Sequence, residues 1–392
     1  MQIMTASSGL QLLLAASLTV LAYIYAGYPL LLWYYAKRNS KAVPSPAEAD
    51  GMDNATISVV IVAHNEARTL PKKIQSLLAS SNAWRIREIL IGSDGSTDDT
   101  DRALAELKEP RVKVISFSDR RGKPSVLNDL VPKCESGYVL LADARQHFDS
   151  ECIDRLLARF KDPMVGVVSG ELILRTESHE SAAAAGIGFY WRYEKFIRRC
   201  ESQWRGVPGA TGACYMLRKE LFQPIPTATI LDDVAIPMQA ITRGYRCLFE
   251  PAAVVFDQPS KSTGQESVRK RRTIAGVAQL ACLFPHWLLP WRNPLWFEYI
   301  SHKMLRLASP ALMAVTLFAN IALVELPFYR FLLLTQMAFY TSAFVGWCYQ
   351  AAGRGSRLFG PPLMFVTLNL TTAAAIWDAM FSRYRVVWQK TM

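Results

Sequence analysis

The chain has 392 residues, enough for one sizeable domain plus membrane segments, and 51% of them are apolar. Its net charge of +11 carries no nucleic-acid module and fits basic loops beside membrane helices, anionic lipid and a phosphate-bearing ligand. Seven scattered cysteines without a CxxC pair exclude a disulfide framework or zinc site and favour a reducing, cytoplasmic setting.

The apolar excess is uneven. Residues 9–36 run without a charge until Lys37, longer than the roughly 20 residues a bilayer crossing needs. Tyr23, Tyr25, Tyr28, Trp33, Tyr34 and Tyr35 gather towards the exit side, as in an aromatic belt. The stretch lacks the basic start of a signal peptide and is too long for one, so residues 1–40 are expected to be an uncleaved anchor.

The middle of the chain, 50–270, has the pattern of an α/β domain. Apolar runs at 57–64, 88–94, 111–117 and 138–144 predict buried parallel strands. Helical spacing between them predicts helices over 65–80, 102–107 and 125–131. Open α/β sheets bind ligands at the carboxyl ends of strands, where His64, Asn65, Glu66, Asp94 and Asp143 fall.

Beyond it, 271–306 is expected to be interfacial, because Pro285, Pro290 and Pro294 interrupt an aromatic stretch. Residues 307–392 then predict three spans, at 307–325, 328–350 and 361–380. With the α/β domain inside, this count puts the basic tail at 383–390 outside, against the positive-inside rule. Either the tail lies on the surface, or a span is misassigned, or 276–295 enters the bilayer.

Seven pieces occur in one order: VAHNEARTL (62–70), GSDGSTDDT (92–100), RGKPSVLN (121–128), LADAR (141–145), TGACYMLRKELF (211–222), LDDVAIPMQAITRGYR (231–246) and RKRRT (269–273). Each is weak alone; together they resemble the family 2 inverting glycosyltransferases, in the membrane branch of cellulose and hyaluronan synthases. The resemblance covers nearly the whole chain. It implies a GT-A domain between N-terminal and C-terminal transmembrane helices.

That resemblance assigns nucleotide contacts to Ala63–Glu66 and to Asp94, whose turn continues into Gly95. A plain helix cap is the alternative for Asp94, but Ser96 or Asp98 could serve there equally. A diphosphate needs cations, and Lys123 resembles the family's phosphate-side lysine, with Arg120 and Arg121 nearby. The family's Asp-x-Asp metal motif stands here as Asp143-Ala144-Arg145, leaving one carboxylate for Mg²⁺ or Mn²⁺ or letting Arg145 take part of the neutralisation. Asp233 matches the family's catalytic base and Asp232 is its natural alternative.

Arg272 matches the arginine of a Gln-x-x-Arg-Trp lid, with Arg269 for Gln and Thr273 for Trp; a membrane-surface basic patch also explains this run. Gly212, with the small residues around it, and Thr273 are placed on the acceptor side. The stretch 189–204, basic and aromatic at helical spacing, fits either an interface helix near the acceptor or ordinary packing.

The expected activity is transfer of a sugar from a nucleotide-diphosphate donor, a UDP-sugar, to a lipid-linked or polysaccharide acceptor. The expected location is the inner face of the plasma membrane, in a multi-pass protein. A processive polysaccharide synthase and an inactive partner subunit of an exporter are the alternatives. A nucleotidyltransferase would show a Gly-rich basic fingerprint after its first strand, and HNEARTL is not one.

Overall fold

The structure, a computed structural model, describes residues 2–39, 52, 54–174, 182–258, 263–354, 356 and 358–381. In chain order the elements are α1 (Gln2–Ala22), a π-turn (Tyr23–Gly27), α2 (Tyr28–Arg38), β1 (Ile57–Ala63), α3 (Leu70–Leu78), β2 (Ile86–Asp94), α4 (Thr100–Glu106), β3 (Val112–Phe117), α5 (Lys123–Leu130), β4 (Tyr138–Ala142), β5 (His147–Phe148), α6 (Cys152–Ala158) and β6 (Val165–Leu174). There follow α7 (Ala182–Trp204), β7 (Cys214–Arg218), α8 (Asp232–Thr242), β8 (Arg246–Asp257), α9 (Thr263–Leu283), α10 (Trp296–Glu298), a second π-turn (Tyr299–Met304), α11 (Leu305–Ala322), α12 (Pro327–Ala351) and α13 (Gly360–Met380).

The eight strands form one sheet in the order β3-β2-β1-β4-β7-β6-β8-β5. The four strands expected from apolar runs are present and mutually parallel. The second half departs from an all-parallel sheet. β7 lies antiparallel between β4 and β6, and β5 pairs antiparallel with β8. The sheet is therefore mixed, and β5 to β8 lack the long uninterrupted runs that mark the first four.

Alternation explains those continuous apolar runs. Ile57, Val59 and Ile61 face one layer with Leu70, Ile74, Leu104, Ile153 and Leu156. Val60, Leu90, Val139 and Leu141 face the other, packed against Val126, Leu127, Val234 and Leu280. A sheet buried on both faces requires apolar residues at every position, not every second one.

Among the described residues four helices are long and apolar enough to cross a membrane: Ser8–Arg38, Trp296–Ala322, Pro327–Ala351 and Gly360–Met380. The chain is a membrane protein by this measure. The first C-terminal span begins at Trp296, upstream of the expected 307, because α10, the second π-turn and α11 form one continuous helix. The prolines precede it: Pro285 follows the end of α9 at Leu283, and Pro290 and Pro294 lie in the connection to Trp296. The tail at 383–390 lies outside the described residues.

α7 and α9 join the two parts. Tyr193, Ile197, Cys200 and Trp204 on α7 pack with Tyr28, Leu32, Ala36 and Phe297, so one stripe of α7 seals α2 to the α/β fold. α9 packs along α13, where Arg271 pairs with the buried carboxylate of Asp378.

Candidate active site

Strand register brings Ala63, Asp94 and Asp143 together. Ala63 stands opposite Ser93 across β1 and β2, and Ile61 opposite Ala142 across β1 and β4. Ala63, Asp94 and Asp143 thus end three adjacent parallel strands on the same edge. There they line an open cleft with Glu66, Arg120, Lys123 and Arg145.

Asp94 is committed more heavily than its sequence position implies. Its Oδ1 accepts the Arg121 N–H at 2.7 Å and its Oδ2 the Gly122 N–H at 2.9 Å. The carboxylate thereby holds the basic 120–122 loop over the strand ends. Gly95 (φ +60°) makes this approach possible, since a Cβ there would lie 2.7 Å from the Arg120 nitrogen. Asp98 accepts the Thr100 N–H at 3.0 Å and so takes the helix-start role.

Glu66 is buried and turned inward, accepting a hydrogen bond from the Thr69 hydroxyl. Helix α3 starts only at Leu70, because Asn65 sits in the left-handed region (φ +57°) and accepts the N–H groups of Thr97 and Asp98 at 2.7 and 3.2 Å. That clamp between two loops was not foreseen, although an asparagine directly after a strand is its sequence signal.

Lys123 is the hub. Its Nζ lies 2.9 Å from Asp143 Oδ1 and 3.0 Å from Asp232 Oδ2, joining the strand-end cleft to the Asp-Asp pair. Burial works against its charge, but Asp143 and Asp232 outweigh it and hold the ammonium above the ordinary lysine range. Asp143 answers in kind: burial would raise it, yet Lys123 and then Arg269 pull its carboxyl below the usual value. Arg145 is exposed at the cavity rim.

Asp232 and Asp233 open α8. Burial, followed by the charge of Asp232, pushes the Asp233 carboxyl up to about 6, while Lys123 and Lys303 oppose the rise. The loop from Gly209 to Gly212 grips Asp233 twice. The Gly212 N–H donates to Asp233 Oδ2 at 3.0 Å, and the Ala210 N–H donates to the Asp233 carbonyl at 2.7 Å.

That carbonyl is available because Pro237, four residues on, has no N–H with which to continue the helix. The proline is the readable signal for this second contact. Gly212 is thus a direct neighbour of Asp233, and a Cβ there would sit 3.2 Å from Oδ2.

Arg272 enters the same cluster from α9. Burial lowers its pKa against the pull of Asp232, Asp233 and Asp143. Thr273 does not follow it. Thr273 is exposed, and its hydroxyl donates to the Arg269 carbonyl of its own helix. Two further groups escaped notice. Tyr215 on β7 has a fully buried hydroxyl without a partner among the described residues, beside the three aspartates. Lys73, also fully buried, donates to the Gln146 carbonyl and lies over Phe148. Neither residue carries a local sequence pattern that marks it.

Among the described residues no cluster of three or more His, Cys, Asp or Glu side chains forms a metal cage. Asp143 still fits Mg²⁺ or Mn²⁺, which are commonly held by one or two carboxylates with substrate phosphates and water completing the shell. Its carboxylate lines the cavity, and Lys123 engages its Oδ1.

Residues 58–225 match the Glycosyl transferase family 2 profile, which ends before the Asp232–Asp233 pair. Poly-beta-1,6-N-acetyl-D-glucosamine synthases of Staphylococcus aureus and Staphylococcus epidermidis are 26% identical over 205 residues. The match covers 51% of this chain and 49% of theirs, so about half the length of each relative is spanned. Among solved structures, the mannosyltransferase PcManGT of Pyrobaculum calidifontis, in complex with GDP-Man and Mn²⁺, aligns with a TM-score of 0.69 at 20% identity. That alignment covers 95% of this chain and 100% of the other, a likeness of fold.

Proposed function

With a glycosyl transferase family 2 domain at 58–225 as the premise, we propose that the chain is an inverting hexosyltransferase acting at the inner membrane face. It moves a sugar from a nucleotide-diphosphate donor, a UDP-sugar, to a lipid-linked or polysaccharide acceptor. The observation that carries this reading is Lys123, whose ammonium joins the donor cavity at Asp143 to the carboxylate pair at Asp232. Donor and acceptor chemistry therefore meet at one charge cluster.

The donor's nucleoside lies over Ala63–Glu66 and Asp94, and its diphosphate faces Lys123, Arg145 and Arg272. A divalent cation on Asp143 would add charge neutralisation for the leaving diphosphate. Asp233 takes the proton of the acceptor hydroxyl as that oxygen attacks the anomeric carbon. The new C–O bond forms on one face while the bond to phosphate breaks on the other. Its electron pair leaves with the diphosphate, and the anomeric configuration inverts. A carboxyl poised near 6 suits this task, being mostly ionised at neutral pH yet a stronger base than an ordinary aspartate.

The staphylococcal relatives support processive synthesis as a second reading, since their names describe polymer products. The exposed Thr273, without an aromatic platform, supports single addition. Full-length protein in detergent, given a panel of UDP- and GDP-sugars with product mass analysis, decides between one added sugar and a ladder. Transfer that persists undiminished in Asp233→Asn removes the base assignment. A wild-type protein that turns over no donor removes the enzyme reading.

A further inference from the structure

Tyr215 on β7 carries a hydroxyl that the fold leaves idle. The residue is fully buried, and its oxygen has no hydrogen-bond partner among the described residues. A buried hydroxyl left unpaired destabilises the state in which it stands. The ring belongs to the apolar layer of Leu141, Val234 and Ala235, where a phenyl group would pack as well. The oxygen therefore calls for an explanation that packing does not give.

Strand register places it. Tyr215 stands opposite Leu141 on β4, one antiparallel pair in from Ala142 and Cys214. Side chains alternate along a strand, so Leu141, Asp143 and Tyr215 share one face of the sheet. Asp143 is then a diagonal neighbour of Tyr215, within the reach of a long side chain. The start of α8 lies on that face too, since Leu231 and Val234, which flank the Asp-Asp pair, belong to the same layer. The loop entering β7 is tied to it through the Gly212 N–H on Asp233 Oδ2. Burial, then the charges of Asp232, Asp233 and Asp143, hold the phenol well above its ordinary range. The hydroxyl keeps its proton and serves these acids only as a donor.

One acid has an oxygen to receive it. Of the three carboxylates, only Asp232 has a buried oxygen, Oδ2, that accepts no hydrogen bond among the described residues. What faces that oxygen is the Lys123 ammonium at 3.0 Å, which also donates to Asp143 Oδ1 at 2.9 Å. A lysine is a point charge on a flexible stem, and a diphosphate concentrates more negative charge than a single carboxylate. A diphosphate in the cleft draws Lys123 towards itself and leaves Asp232 buried beside Asp233 without its cation. Arg272 Nε also lacks a partner among the described residues, but in the reading above its guanidinium faces the same diphosphate.

We propose that Tyr215 is a positioning residue for Asp232: its hydroxyl donates to Asp232 Oδ2 once a donor diphosphate has drawn Lys123 away, and holds that carboxylate ionised and in place beside Asp233. This rests on the transferase reading above, in which the diphosphate faces Lys123, and adds a residue to it. The hydroxyl is unpaired in the empty protein and paired in the donor-bound one, so it couples occupancy of the cleft to the geometry of the Asp-Asp pair.

Two measurements on the full-length protein in detergent need no turnover. Thermal unfolding without nucleotide reads the empty state. There Tyr215→Phe is expected to leave Tm unchanged or to raise it by a few degrees, because an unpaired hydroxyl is removed. A lower Tm would mean that the hydroxyl is already paired, and overturns the proposal. Calorimetric titration with UDP and with GDP, at one fixed Mg²⁺ concentration, reads the bound state. The nucleotide that the wild type binds more tightly is expected to bind Tyr215→Phe on the order of 10-fold more weakly, as for loss of one hydrogen bond to a charged group. Equal affinity in the two proteins overturns the proposal.

A double-mutant cycle separates this role from packing. In an Asp232→Ala background, Tyr215→Phe is expected to leave nucleotide affinity unchanged, since the acceptor of the bond is gone. The same 10-fold loss there would mean that Tyr215 does not act through Asp232. In turnover by Tyr215→Phe, donor KM is expected to rise by the binding factor with a smaller change in kcat; a loss confined to kcat overturns the proposal. A wild type that binds the diphosphate with this coupling but turns over no donor sinks the transferase reading and keeps Tyr215. Normal turnover with nucleotide affinity unmoved in Tyr215→Phe does the reverse, and a wild type that binds neither nucleotide removes both.

Discussion

In the proposed reading, the donor half and the acceptor half of this cleft are built by opposite means. The donor half is a set of adjacent strand ends, with Ala63, Asp94 and Asp143 in register on β1, β2 and β4, and its contacts are short loops closed by backbone hydrogen bonds. The acceptor half is assembled from distant parts: a loop at Gly209–Gly212, the start of α8, Arg272 on α9 and Lys303 beside a membrane helix. Sheet register thus holds the proposed nucleotide side, while the proposed acceptor side depends on how the membrane-length helices dock. Position at the donor half is set by sheet register, and at the acceptor half by packing between domains.

The largest test of this contrast is Asp233→Asn. Removing the base is expected to lower sugar transfer by about 10³-fold, within the range for general-base removal, with donor affinity by calorimetry nearly unchanged. If donor affinity collapses too, the halves are not separable in this way.

Lys123→Met should do what Asp233→Asn does not and damage both halves together. It leaves Asp143 and Asp232 without their shared cation, so stability in thermal unfolding is expected to fall by about 3–5 kcal/mol, and donor affinity to drop about 10- to 100-fold. A change confined to transfer would remove Lys123 from its bridging role.

Gly212→Ala adds a methyl 3.2 Å from Asp233 Oδ2. A displaced carboxylate is expected to cost about 10-fold in kcat at constant donor KM. An unaltered kcat would show that the loop yields without moving Asp233.

The pH profile gives a finer reading. Asp233 must be ionised to accept a proton, so kcat/KM is expected to fall below about pH 6 and level off above it. Asp232→Asn removes the neighbouring negative charge and should move this limb to lower pH. Lys303→Gln removes an opposing positive charge and should move it to higher pH. A limb that stays fixed in both variants belongs to another group.

The smallest effect is expected at the greatest distance. Asp378 on α13 pairs with Arg271, next to Arg272 on α9. Since Arg271 is 40% exposed, Asp378→Asn should lower stability by only about 1 kcal/mol. It should lower kcat by a few-fold through Arg272, and Asp378→Glu should restore both. No change in kcat would mean that α9 holds Arg272 without help from the membrane helix.

Much of this molecule was legible before any coordinates. The runs at 57–64, 88–94, 111–117 and 138–144 became four parallel strands because a sheet covered on both faces demands unbroken apolar segments. The spans at 328–350 and 361–380 became α12 and α13 because a bilayer-length helix needs little more than composition and length. Local periodicity and transfer free energy act within one segment, so one segment's residues suffice to read them.

Other features exist only between segments. Asp94 was read as a nucleotide contact beside a glycine turn; the fold adds two backbone amides from residues 121 and 122 that occupy both its oxygens. Lys123 was read as a phosphate lysine, and tertiary structure joined it to Asp143 and Asp232, residues 20 and 109 positions away. Lys303 carries no motif at all, and its charge interactions with Glu194, Glu201 and Asp233 emerge only when α7 and α8 meet the π-turn. The order of the first four strands and of the last two membrane-length helices was determined by the amino-acid sequence alone. Which charges neutralise one another was decided by packing, because Coulomb energy depends on distance in space and not on distance along the chain.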